Sequence, residues 1–126
     1  MGAVVTLHHR ESVVVDKRRI ARIFRSMGAP CAESSIIIQV QALASNLHRI
    51  DAHLKCDDLT ELSAVAGKAC QTAQSIGLLS LATVLGNLQQ VSLNGDSAAI
   101  GAVWQRCRRI GDASLVELWQ VPQLRM

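Results

Sequence analysis

The chain predicts an all-α fold, an up-down four-helix bundle with a short helix laid across it at the N-terminal side. Three observations predict it. The composition favours helices: Ala, Leu, Gln and Ser are abundant, and the only aromatic residues are Phe24, Trp104 and Trp119. The apolar residues recur at helical spacing. The breaks between periodic stretches are short and carry capping residues, so successive helices fold back on one another. With 126 residues there is room for one core. We divide the chain into an N-terminal arm (1–15), a helical bundle (16–121) and a C-terminal tail (122–126).

The arm shows no clean alternation. Val4-Val5 and Val13-Val14-Val15 favour an extended chain, and His8-His9-Arg10-Glu11 interrupt them. Asp16 is suited to cap a helix over Lys17 to Met27, with Ile20, Ile23 and Phe24 on one side. Gly28-Ala29-Pro30 is expected to stop it. From about 34 to 55 the apolar positions are Ile36, Val40, Leu43, Leu47, Ile50 and Leu54. Their alternating steps of four and three residues make an amphipathic helix.

Asp58-Leu59-Thr60-Glu61 has the form of a capping box, opening a helix over about 58–76. It carries Leu59, Leu62, Val65, Ala66, Ala69, Ala73 and Ile76, and Gly77 interrupts it. Leu79, Ala82, Leu85, Leu88 and Val91 mark the next helix, 78–94, which ends at Asn94-Gly95. Asp96 caps the last, 96–120, with Ile100, Val103, Trp104, Cys107 and Ile110 inward. Gly111-Asp112 is expected to kink it before Leu115, Leu118 and Trp119, and Pro122 marks its end.

Charge excludes little. The net charge of +3 is too small to imply nucleic acid. Two basic clusters stand out, Lys17-Arg18-Arg19 with Arg22 and Arg25, and Arg106 with Arg108-Arg109; a docking surface for an acidic protein partner is their sharper reading. No apolar run is long enough to span a membrane. Cys31, Cys56, Cys70 and Cys107 form no Cys-x-x-Cys pair, and with His8, His9, His48 and His53 they match no zinc spacing. We therefore expect a cytoplasmic protein with reduced thiols, no cofactor, no membrane partner and no nucleic-acid partner. Paired carboxylates, a nucleophile with its base and a glycine-rich phosphate loop are missing, so an enzyme is not expected.

The order of these elements resembles the histidine-containing phosphotransfer (HPt) domain of bacterial phosphorelays. Asp58-Leu59 stands where that family's acceptor helix begins, and Leu62 and Val65-Ala66 fill its apolar positions. Thr72-Ala73 matches the end of the family motif His-x-x-Lys-Gly-(Ser/Thr)-Ala, and Ile76-Gly77 matches the Leu-Gly that follows. Leu81, Leu85 and Leu88 then lead to Gly95-Asp96, while Asp16, Ile20 and Gly28 resemble the short first helix. The resemblance runs over roughly residues 15–120.

It fails at the chemistry. Gly67 stands where the phosphorylated His is expected, Cys70 where the Lys is, and Gln71 where the Gly is. A phosphoryl acceptor needs an imidazole nitrogen and a cation beside it. Glycine supplies neither, and Lys68 lies about 100° around the helix from Gly67. The resemblance therefore implies a degenerate HPt-like adaptor or decoy. It would bind a response-regulator receiver domain or a histidine kinase without accepting phosphate. The expected contact patch is Ser63, Gly67, Lys68, Cys70, Gln71 and Gln74. The alternatives are a phosphotransfer protein with another acceptor, His48 or His53, and a structural bundle whose partner is a second copy of the chain.

Overall fold

A computed structural model describes residues 12–124. It is all-helical, with five helices: α1 (Lys17–Met27), α2 (Ala29–Lys55), α3 (Leu59–Ser75), α4 (Leu79–Asn94) and α5 (Ser97–Trp119). Among the described residues no strand forms; Val15 and Leu78 make one isolated antiparallel bridge.

Three aspartates start three of the helices by the same device. Asp16 accepts from the backbone N–H groups of Arg18 and Arg19, Asp58 from that of Glu61, and Asp96 from those of Ala98 and Ala99. Each satisfies donors that the first turn leaves unpaired. At Asp58 only the Asp half of the expected capping box is recorded.

α1 stops where expected, at Met27 with Gly28 as its C-cap, but the next helix starts early. α2 begins at Ala29, five residues earlier than the periodicity suggests, because Pro30 opens a helix instead of closing one. In the first turn the missing N–H of proline has no partner to lose. α5 is one continuous helix through Gly111, which is buried with Leu81 and Leu47 at ordinary contact distance from where a Cβ would stand.

The core is aliphatic. Ile36, Leu43 and Ile50 of α2, Leu62, Ala66, Ala69 and Ala73 of α3, Leu81, Leu85 and Leu88 of α4, and Ile100, Cys107 and Leu118 of α5 are all buried. Ile20 pins α1 to this core, and burying such a side chain stabilises by about 1.5–3 kcal/mol. Val103, read as inward, is only partly buried. Leu79 and Trp119 are exposed, and Val91 is only partly buried, because each sits off the buried stripe of its helix. Leu124 of the expected tail is buried, as is Val121 at the end of the expected bundle.

Residues 1–11 of the expected arm lie outside the described residues. Residues 13–16 form a strap over the α3–α4 turn. The Asp16 N–H donates to the Gly77 carbonyl at 2.7 Å, the Leu79 N–H to the Val14 carbonyl at 3.1 Å, and the Val14 N–H to Ser80 Oγ at 2.8 Å. Gly77 is required here. Its φ is +80°, and a Cβ would stand 3.0 Å from the Asp16 carbonyl oxygen.

Helices adjacent in sequence pack on each other, α2 on α3, α3 on α4 and α4 on α5. α3 and α4 approach most extensively. No Cα of α2 comes within 8 Å of a Cα of α5. A groove of about 250 Å³ lies between those two helices, lined by Leu47, His48, Asp51, Trp104 and Arg108.

Candidate functional site at the α3–α4 seam

The expected patch lies on α3 where it borders α4. Two contacts give the register. A Cβ on Gly67 would meet Gln89 Nε2 at 2.7 Å, and the Cys70 thiol lies 3.3 Å from the Ala82 carbonyl as a donor. Gly86 stands beside the Cys70 sulfur. The seam is therefore walled by small side chains, with the Gln89 amide folded over Gly67.

The six expected residues do not share one exposure. Gly67 and Cys70 are half-buried, and Lys68, Gln71 and Gln74 are exposed. Ser63 is a correction: only 6% of it is accessible, because it lies on the α4 side of Gly67. It adds packing there and little contact surface. Lys68 points about 100° away from Gly67, so it does not replace a cation beside the acceptor position.

Gln89 is the residue that sequence reasoning missed. It lies 22 positions along from Gly67, and no local pattern links them. Two more features of α4 frame the seam. Leu93, one turn beyond Gln89, and Leu79, one turn before Ala82, are exposed apolar side chains, at 67% and 41%. They give a neutral groove an apolar margin at each end.

The chemistry of this seam is muted. Burial pushes the Cys70 thiol above its usual range, which leaves less thiolate for nucleophilic attack or oxidation. Cys107, deeper still and donating weakly toward the Val84 carbonyl, is pushed up to about 12 by burial, against a small opposing pull from Arg106. The candidate substitute acceptors are elsewhere. His48 is exposed in the α2–α5 groove, and His53 is half-buried near the end of α2. Among the described residues no three of His, Cys, Asp and Glu are grouped to hold a metal ion. No described helix is long and apolar enough to cross a membrane.

The α2–α5 groove is the more polar place. The Lys55 ammonium, 3.1 Å from the Asp51 carboxylate, holds Asp51 below the usual carboxylate range, with smaller contributions from Trp104 and Arg108 and some opposition from burial. The Trp104 indole N–H is buried and leans toward Asp51 without completing a hydrogen bond.

Compared with known proteins, the chain matches no family model, no curated protein and no solved structure.

Proposed function

We propose that the protein is a non-catalytic adaptor or decoy of phosphorelay signalling. In this reading α2–α5 form an HPt-like four-helix bundle in the cytoplasm, with α1 packed on it. A receiver domain or a histidine kinase docks on the α3–α4 seam and transfers nothing to it. The observation that carries the reading is Gly67, half-buried in the seam beneath the Gln89 amide, at the position where the resemblance expects an acceptor imidazole. The neighbouring Cys70 turns its sulfur to the Ala82 carbonyl, so no side chain there offers a charge to an incoming phosphoryl group. Affinity comes instead from burying the apolar margins at Leu79 and Leu93, at about 25 cal/mol per Å² of apolar surface.

The test uses a receiver domain charged with acetyl phosphate. The protein should bind it and stay unlabelled. Gly67→Asp should weaken binding at least tenfold, about 1.4 kcal/mol, because the interface must strip water from a carboxylate. The fold should tolerate the change, since the Gln89 amide can donate to the new carboxylate. Arg108→Glu, in the α2–α5 groove, should matter less. Acid-labile label on His48 or His53, or an affinity indifferent to Gly67→Asp, overturns the reading.

A further inference from the structure

Helix α1 holds five cations, Lys17, Arg18, Arg19, Arg22 and Arg25, and no acidic residue. Arg18, Arg22 and Arg25 are spaced by four and three residues, so they form one column about 10 Å long on the helix surface. All three are exposed, and Ile20 on the opposite side is buried. None of the five makes an ion pair with a described residue.

Of the five, only Arg25, in the last turn, suits the helix dipole. Lys17, Arg18 and Arg19 fill the first turn, where the helix dipole is already positive and cations are unfavourable. The Asp16 cap offsets only part of that. Like charges three and four residues apart repel along the column as well. A local rule broken without compensation inside the fold points to a use outside it.

We infer that the outer face of α1 is a docking surface for an acidic segment of another protein. Charge complementarity identifies the class, and two observations narrow it. An interfacial membrane helix buries its apolar face in lipid. The apolar face of α1 is already spent, since Ile20, Ile23 and Phe24 pack on the core. A single-stranded nucleic acid wants aromatic platforms along a basic track. The one aromatic residue of α1, Phe24, is engaged in that same packing. Next along the chain come the exposed Met27 and, on the first turns of α2, a largely apolar groove of about 510 Å³ lined by Pro30, Cys31, Ser34, Ser35, Ile38 and Gln39. A protein segment can use that margin and a phosphate chain cannot. Arginine predominates over lysine in the column, which suits bidentate pairing with carboxylates. No residue of the α3–α4 seam enters this inference.

Fluorescence anisotropy of the full chain with a fluorescein-labelled peptide rich in Asp, Glu and Leu tests it. A labelled single-stranded oligonucleotide and phosphatidylserine-containing vesicles serve as competing arms. The peptide should bind at low ionic strength and weaken as salt is added. The triple variant R18E/R22E/R25E should lose at least about tenfold in affinity. R18Q/R22Q/R25Q, which keeps good helix formers at every position, should lose affinity in the same direction with unchanged helical circular dichroism. The inference is overturned if the peptide does not bind, if the glutamine variant binds it as well as the native chain, or if the oligonucleotide or the vesicles bind more tightly.

Discussion

The α3–α4 seam and the α2–α5 seam solve the same packing problem with opposite materials. α3 and α4 meet through Gly67, Cys70, Ala82 and Gly86, so their backbones come close and the groove between them is shallow and neutral. α2 and α5 hold their backbones farther apart and leave a cavity lined by the large side chains Leu47 and Trp104 with His48, Asp51 and Arg108. Side-chain volume at a seam thus decides both how near two helices lie and what chemistry the groove displays. The small seam offers shape and the large seam offers charge.

The comparison can be broken first at the large seam. Trp104 is 6% exposed and lines its groove. Trp104→Ala should cost about 3–5 kcal/mol in urea unfolding, as buried aromatic truncations do. A loss below about 1 kcal/mol would mean that α5 closes onto α2 and that the wide spacing is not needed.

At the small seam the dangerous change is the reverse. Ala82→Leu should cost about 1–3 kcal/mol by overpacking, read from the same denaturant titration. Gly67→Ala tests the seam more finely. Helix propensity favours Ala by up to about 1 kcal/mol, but the new methyl must push the Gln89 amide aside. The gain should therefore be larger in a Gln89→Ala background than in the native chain. Equal gains in both would show that the amide does not restrict the site.

The smallest effects separate the seams by pH. Asp51 titrates below its ordinary value when folded, so its stabilisation is present above that value and is lost as pH falls through the lowered one. Cys70 titrates above its ordinary 9.0, so its neutral thiol favours the fold below 9.0 and that advantage is lost as pH rises through the raised value. Asp51→Asn should flatten only the acid side of a stability profile, and Cys70→Ala only the alkaline side. A change on the opposite side in either variant would show that the two seams are coupled.

What the sequence made legible was local. The caps at Asp16, Asp58 and Asp96 bond to groups two or three residues away, so a short motif contains the whole interaction. The four-three spacing of α2 likewise placed Ile36, Leu43 and Ile50 correctly. The start of α2 was misplaced because Pro30 fits the first turn of a helix as well as the end of one. The candidate site was half legible. Gly67, Cys70, Gln71 and Gln74 could be placed on one side of α3, but the burial of Ser63 depends on where α4 lies. The contact between Gly67 and Gln89 has no sequence signal, since it spans a helical hairpin.

The strap of residues 13–16 has a consequence for the order of folding. Val14 and Ser80 are 66 positions apart, the longest closure among the side-chain hydrogen bonds described. The α3–α4 hairpin needs only short closures and can form before it. The strap then seals a turn already made, laying Val13 and Val15 on the edge of the core. Its amides, those of Asp16 and Leu79 above all, should exchange with solvent through a local opening that leaves the hairpin intact. A tension applied to the chain upstream of Ser12 would release the strap first, and the turn carrying Gly77 would be uncovered while the aliphatic core stayed shut.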